Sequence, residues 1–528
     1  MKDLHLLLVI ITSILVFGCS NDKEDIIDPV KDEGYCRFSQ NQMSVASQSG
    51  AETLTVEWSY SEWKITTDEN GFINIFSSTE GGDTDLEERT TQVVFSFSEN
   101  PNFEQRSQDI FVTDVNTQKK EKITIIQEEG IQEEEAKVAI TIDADTKYRQ
   151  IVGFGGMCNV TLWGVPALTE QNIVKMYGEG GLGYKILRLM IYPNKNQWSR
   201  DLAIAKKAQS LGAVIMASPW TPPANLKSNN STTGGYLLPE NYEKYAEHLA
   251  AFIKYMSDNG IRIDAVSIQN EPDINVTYDS CDWTPEQILN FIKNYGRNIG
   301  TDVKIIASES FNFNRTYTNQ LLNDATAVNN FDIAGGHIYG GGLSAYPLAQ
   351  QKGKEVWMTE HLFNQEGPNK DGLGWDAALI LAKELHDCMT ADFDAYIWWY
   401  LKRYYSMLGD GDKGTVNGEI LKRGYVMSHF AKYATGKQRV KVSVNGNNNL
   451  SVTAYYSQNE ITLVIINHTN EDIAKVNIQL PGAVVTGAVV ETTENNNMID
   501  KTVSLRADKQ SATIGLSAKS VTSVKFAL

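Results

Sequence analysis

Lys185-Ile-Leu-Arg-Leu-Met-Ile-Tyr192 is apolar apart from its first residue and one internal arginine, and Ala213-Val-Ile-Met-Ala-Ser-Pro-Trp220 repeats that texture one helix-length later. A short apolar run bounded by turn residues reads as a strand buried on both faces, as strands are in a parallel sheet. Outward from this pair, similar runs recur at 151–156, 263–270, 303–308, 333–339, 356–360 and 396–400. Helical patterns fill the intervals: Tyr242, Tyr245, Leu249, Phe252 and Met256 recur at helical spacing. Thr284-Pro-Glu-Gln287 supplies an N-cap, a first-turn proline and a capping-box glutamine. Eight strand–helix units within 150–435 predict a (β/α)8 TIM barrel rather than a doubly wound sheet. Gly153-Phe-Gly-Gly156 lacks the spacing of a dinucleotide-binding loop.

The flanks have a different texture. From 36 to 129 short alternating runs such as Thr53-Leu-Thr-Val-Glu-Trp-Ser59 and Gln92-Val-Val-Phe-Ser-Phe-Ser98 predict a small antiparallel, Ig-like β-sandwich. Trp58 shares parity with Leu54 and Val56, so it is expected in the core rather than on a sugar-binding surface. The acidic stretch at 130–136 reads as a linker. Alternation returns at 436–528, which predicts a side β-sandwich that the strand material of 137–149 joins.

Net charge is −18, with 42% hydrophobic and 21% charged residues, which fits well-packed modules and excludes nucleic acid as a partner. Lys2 and the apolar run up to Phe17 read as a signal peptide, residues 1–18. Leu15-Val-Phe-Gly-Cys19 resembles a bacterial lipoprotein signal, which implies acylation of Cys19. The polar, acidic segment 19–35 is then a tether, and its start resembles the surface-export signals of Bacteroidetes lipoproteins. A lipid anchor on the cell surface or the periplasmic face of the outer membrane follows as the expected location. The other four cysteines and the seven histidines form no metal-ligand or disulfide pattern, so no metal and no cofactor are expected.

Chemistry concentrates in two glutamates. Glu271 closes Ser267-Ile-Gln-Asn-Glu-Pro-Asp273 after the fourth run, and Glu360 ends Glu355-Val-Trp-Met-Thr-Glu-His361 in the seventh. Active residues of such barrels come from the C-terminal ends of several strands. Two carboxyls facing one bond are what glycosidic cleavage needs: one protonates the leaving oxygen while the other attacks or supports the sugar carbon. Desolvation and the charge of Glu360 should keep Glu271 protonated as acid/base, with Glu360 ionised as nucleophile. Glu309, in Ala307-Ser-Glu-Ser310, ends the fifth run and is expected to line the site or serve structure.

Gln269-Asn-Glu-Pro272 and Trp357-Met-Thr-Glu-His361 resemble the acid/base and nucleophile signatures of glycoside hydrolase family 30, clan A. Gly153-Phe-Gly-Gly156, Leu187-Arg-Leu189, Ala217-Ser-Pro-Trp-Thr-Pro-Pro223, His337-Ile-Tyr-Gly340, Trp398-Trp-Tyr400 and Lys422-Arg-Gly-Tyr425 agree with it in order. The resemblance covers about 137–528. It implies that Asn270 bonds the sugar 2-hydroxyl, Arg188 orients Glu360, Tyr339 donates to Glu360, and Trp220 packs on the sugar. Trp399 and Tyr400 would be subsite walls; Trp398 and Trp399 point opposite ways on a strand, so one of them faces the cleft. The module at 36–129 resembles the BACON domains that precede carbohydrate enzymes, on Trp58, Trp63-Lys-Ile65 and Ile123-Thr-Ile-Ile126.

The resemblance is greatest to the bacterial xylanase branch, which cuts β-1,4-xylan near glucuronate groups. It implies a retaining endo-xylanase on substituted plant cell-wall xylan, with Arg403 as the match for the glucuronate-binding cation and Lys402 as a weaker candidate. A surface salt bridge is the plain alternative for both. The loop from Leu362 to Asp371 departs from the branch: Glu366 and Asp371 would repel an anionic substituent, which Lys370 would offset in part. Other expectations remain open: a β-1,6-glucanase, a β-glucosidase or β-xylosidase of the same family, or a non-catalytic glycan-binding lipoprotein. A monomer is expected.

Overall fold

The structure, a computed structural model, describes residues 33–102, 104–130, 136–363 and 374–528. Cys19, the signal segment, most of the tether and linker, and Glu366, Lys370 and Asp371 lie outside the described residues. The chain divides into two compact units, Met1–Glu135 and Ala136–Leu528.

In the first unit two sheets enclose one core. One sheet orders Tyr35–Phe38, Gly50–Ser59, Arg89–Phe97 and Ile73–Ile75; the other orders Gln42–Val45, Lys120–Gln127, Arg106–Asp114, Ser61–Thr67 and Glu80–Asp83. Val56, Val93 and Phe95 of the first meet Trp63, Ile110, Val112 and Ile123 of the second. Pairing is antiparallel except that Gln42–Val45 runs parallel to Lys120–Gln127, which corrects the purely antiparallel expectation. A long excursion separates these two segments, so nothing forces a hairpin between them. Trp58 and Trp63 are both buried, and Trp58 Nε1 donates to Thr91 Oγ1 at 3.0 Å. Neither presents a face to a sugar.

The second unit holds a closed parallel barrel of eight strands: β1 Gly153–Met157, β2 Ile186–Ile191, β3 Val214–Pro219, β4 Ala265–Ser267, β5 Lys304–Ser310, β6 Ile333–His337, β7 Glu355–His361 and β8 Ala395–Tyr400. Every strand expected from the apolar runs is present. The largest difference is at β4, which stops at Ser267 although its run continues to Asn270. Beyond Ser267 the backbone leaves the ladder: Asn270 N–H donates to the Pro219 carbonyl (2.8 Å) and Glu271 N–H to the Glu309 carbonyl (3.0 Å).

Two apolar layers hold the barrel. Ile186, Met216, Ala265, Ile306, Ile333, Trp357, Ala395 and Ile397 form one buried cluster at the strands' N-terminal half. A larger cluster joins the other strand faces to the surrounding helices, including Leu249, Phe252 and Met256 of Tyr242–Asp258. Pro285–Tyr295 opens with the expected reciprocal cap, in which Thr284 Oγ1 accepts from Gln287 N–H and Gln287 Oε1 accepts from Thr284 N–H.

The flanking segments close into a single ten-stranded sheet. Val138–Gln150 pairs antiparallel with Gln438–Asn445 and parallel with Ile473–Gln479. Ile140, Val440, Leu463, Val476, Ile514 and Phe526 share its core. The strand that leads into the barrel is thus stapled to strands that follow it, which fixes the barrel's two chain ends together.

Candidate active site

Position along each strand decides which side chains enter the barrel mouth. Side chains of one face recur every second residue. Arg188 lies two residues beyond Ile186, His337 four beyond Ile333 and Trp399 two beyond Ile397, so all three continue the inner layer toward the C-terminal mouth. Glu309 is three residues beyond Ile306 and Glu360 three beyond Trp357, so a regular strand would turn both outward. Register shifts correct this. On β5 the pairing passes from Ser308–Gly335 to Ser310–Gly336, leaving Glu309 as the extra residue. On β7 it passes from Met358–Gly336 to Glu360–His337, leaving Thr359 extra. On β8 it passes from Trp398–Gly156 to Tyr400–Met157, leaving Trp399 extra. A bulge of this kind re-aims the side chains that follow it.

Backbone strain gathers at the same places. Glu271 has φ 46°, Ser308 φ 85° and Glu309 φ 32°. Non-glycine residues in that region cost about 1–3 kcal/mol each and persist where the surroundings hold them.

Arg188 is fully buried and ties the acidic groups together. Its Nη1 donates to Glu360 Oε2 in a short ion pair, and its Nη2 donates to Asn270 Oδ1 (2.6 Å) and Glu309 Oε1 (3.1 Å). Its Nε reaches Ser218 Oγ at 3.2 Å, and the guanidinium carbon stands 4.9 Å from the Trp220 ring centre. Tyr339 O–H donates to the other oxygen of Glu360 at 2.8 Å. His337 Nδ1 is 2.9 Å from Glu271 Oε1, while its Nε2 lies 3.8 Å from Glu309 Oε1. One atom each of Glu271, His337 and Glu360 fall within 4.8 Å of one another. These three hold no cation well: Arg188 already occupies Glu360, and His337 is hydrogen-bonded to Glu271. A guanidinium beside a divalent ion is repulsive.

Charge balance follows from the same contacts. Burial opposes ionisation of Glu309, but Arg188 and His337 outweigh it and hold the carboxyl at about 2. Burial opposes the charge of His337 too, and Glu360, Glu271 and Glu309 overcome it, raising the imidazole to about 9. Glu271 moves the opposite way from Glu309. Burial raises its carboxyl, Glu360 adds to the rise, and the His337 hydrogen bond opposes it. Three carboxyls face two cations, so a neutral cluster carries one carboxylic proton, and Glu271 is the group whose surroundings favour it.

Above these groups lies a cavity of about 560 Å³ lined by Trp163, Val165, Trp220, Glu271, Tyr278, Phe311, Tyr339, Glu360, Leu362, Trp399 and Tyr400. An apolar, aromatic wall around a few polar groups is the usual make-up of a small-ligand site. Asn270 Oδ1 is taken by Arg188, which leaves its amide nitrogen without a protein acceptor among the described residues.

The structure therefore brings together Arg188, Asn270, Trp220, Glu271, Tyr339, Glu360, Trp399 and Tyr400. Trp398 packs in the core, as strand alternation requires. Arg403 does not line this cavity; its Nη1 is paired with Asp410 Oδ2 at 3.2 Å, the salt-bridge alternative. Lys402 is corrected outright, since it is buried and its Nζ donates to the Ala167 carbonyl at 2.8 Å. Sequence reading assigned no role to His337, Trp163, Tyr278 or Phe311. The signal for His337 was its even spacing from Ile333; Trp163 comes from the single 3-10 turn Thr161–Trp163 and Tyr278 and Phe311 from loops, where spacing carries no such signal.

A pH prediction follows. A raised imidazole value means that His337 adds stability fully below its ordinary 6.5 and loses it as pH rises through about 9. The drop in melting temperature caused by His337→Asn should be larger at pH 6 than at pH 9.5. Equal drops at both would contradict the charged imidazole.

The sequence profile of the glycosyl hydrolase family 30 TIM-barrel domain matches residues 159–358. Glucuronoxylanase XynC of Bacillus subtilis (strain 168) is 35% identical over 344 residues, spanning 63% of this chain and 79% of that protein. The solved glycoside hydrolase family 30 subfamily 8 xylanase Xyn30A of Clostridium acetobutylicum superposes with TM-score 0.67 at 34% identity, over 74% of this chain and 100% of that one. The family 30 endoxylanase of Clostridium papyrosolvens C71 gives TM-score 0.64 at 34% identity over the same shares. With the barrel, the paired glutamates and these relatives in agreement, this chain belongs to glycoside hydrolase family 30 and is a glycoside hydrolase.

Proposed function

We propose that the protein is a retaining endo-β-1,4-xylanase acting on substituted xylan, with Glu360 as nucleophile and Glu271 as acid/base. The observation that carries this reading is the placement of both carboxyls at one aromatic-walled cavity, with one oxygen of each within 4.8 Å of the other. Retaining enzymes hold the pair about 5–5.5 Å apart, whereas inverting ones leave about 6.5–9.5 Å for a water. Names of the similar proteins, glucuronoxylanase and xylanase, support xylan as the substrate class.

In the first step Glu360 attacks the anomeric carbon while Glu271 gives its proton to the departing oxygen. Esterification removes the charge of Glu360, and with it one cause of the raised Glu271 value. Glu271 then holds its proton less firmly and can take one from the water that releases the sugar. Arg188 and Tyr339 hold both oxygens of Glu360, which aims it and supports its negative charge. The free amide of Asn270 suits the sugar 2-hydroxyl. Trp220, Trp399 and Tyr400 supply apolar faces for pyranose rings. Residues 1–35 fit a signal, a lipidated Cys19 and a tether to the outer membrane, and the first unit fits a BACON-like spacer; acylation of Cys19 is tested by labelling with a fatty-acid analogue.

Arg403, already paired with Asp410, is not assigned to glucuronate, and xylan cleavage is taken as independent of that side group. Three expected outcomes check the reading. Glu271→Gln should lower kcat/KM on unactivated xylan by about 10²–10⁴-fold, with far less loss in bond cleavage for an aryl xylobioside whose leaving group needs no proton. Proton NMR during hydrolysis should show the β-anomer first; an α-anomer would overturn retention, and products from β-1,6-glucan rather than xylan would favour the other family specificity. Arg403→Ala should weaken cleavage of glucuronoxylan and of linear xylo-oligosaccharide alike, and a loss confined to glucuronoxylan would restore the arginine's glucuronate role.

A further inference from the structure

Glu309 has no part in the two-carboxylate chemistry, yet no carboxyl of the site is more completely enclosed. It is the extra residue of the β5 bulge, at positive φ next to Ser308, also at positive φ, so the backbone is distorted to bring it inside. Its Oε1 meets Arg188 Nη2, and its backbone carbonyl accepts the N–H of Glu271. Two buried polar atoms nearby have no hydrogen-bond partner among the described residues, Glu309 Oε2 and His337 Nε2. Those two side chains face each other, with 3.8 Å from His337 Nε2 to Glu309 Oε1. On its far side the same imidazole bonds Glu271.

The groups facing His337 are therefore Glu271 after β4, Glu309 on β5, Glu360 on β7, Arg188 on β2 and the Tyr339 ring after β6. Glu360 is neutralised by Arg188 and is lost as a charge when the sugar is attached. Glu309 stays anionic through the cycle, because no step proposed for the enzyme touches it.

We propose that Glu309 is a positioning residue for the hydrolysis: standing against Nε2, it keeps His337 charged throughout, so that Nδ1 always donates to Glu271 and holds that carboxyl in line with the leaving oxygen. The inference rests on Glu271 acting as acid/base. A neutral imidazole would be free to take either tautomer and to present a bare acceptor to Glu271, so the carboxyl would lose its fixed donor.

The test uses the full chain with ¹⁵N-labelled histidine, the His337 signal being assigned by its absence in His337→Asn. In the native enzyme the ring should stay doubly protonated at pH 7.5. In Glu309→Gln it should titrate lower by about one pH unit or more, and Glu309→Asp, which keeps the charge, should restore most of the difference. Kinetically, Glu309→Gln should lower kcat/KM on xylan about tenfold while cleavage of an activated aryl xylobioside changes much less. A neutral His337 in the native enzyme at pH 7.5, an unchanged titration in Glu309→Gln, or equal losses on both substrates would overturn the proposal. If Glu309→Gln fails to fold, the native titration still decides. If the native enzyme does not cleave xylan, the specificity fails and the titration continues to judge Glu309.

Discussion

A single guanidinium, buried beneath the cavity, holds the acidic groups of this site in place. Arg188 touches Glu360, Glu309 and Asn270 and lies against Trp220. Three carboxyls packed so closely would repel one another strongly in a medium of low dielectric. Removing one partner of such a buried ion pair typically costs about 3–5 kcal/mol, because an uncompensated charge is left behind. The fork geometry of arginine matters as much as its charge, since it serves one acid from each of two nitrogens. Without this cation the two functional carboxyls would either separate or both take protons.

Around Arg188 the barrel departs from regular strand geometry wherever chemistry demands it. Bulges on β5, β7 and β8 turn Glu309, Glu360 and Tyr400 toward the mouth, and Glu271 sits at positive φ just past the end of β4. The regular halves of the strands, closed by the cluster of Ile186, Met216, Ile306 and Trp357, resist the distortion. Stability resides at one end of the barrel and strain at the other. The ten-stranded sheet reinforces this division, because it ties the chain's entry into the barrel to its exit.

Much of this was legible in the sequence because its signals are local. Eight apolar runs marked eight strands; Glu271, Glu360, Asn270 and Tyr339 stood in motifs at or just past their C-terminal ends, and Arg188 stood in a motif within β2. What escaped depends on long-range geometry. Nothing in Ala307-Ser-Glu-Ser310 announces a bulge, so Glu309 passed for a lining or structural residue although it is sealed from the cavity. His337 shows its importance through Glu271 and Glu309, residues distant in the chain. The shortness of β4 depends on partners from β3 and β5 that capture the N–H groups of Asn270 and Glu271. Asp410, its side chain enclosed and seven residues on, claims Arg403, a pairing that composition does not disclose.

The central claim is that Glu360, oriented by Arg188 and Tyr339, bonds covalently to the sugar while Glu271 manages the protons. An activated 2-fluoro xylobioside slows release of that intermediate, so mass spectrometry of the quenched, digested protein reports where the sugar is attached. A single adduct on the peptide carrying Glu360 is the predicted result. An adduct on Glu271 or Glu309, or turnover with no adduct at all, would contradict it.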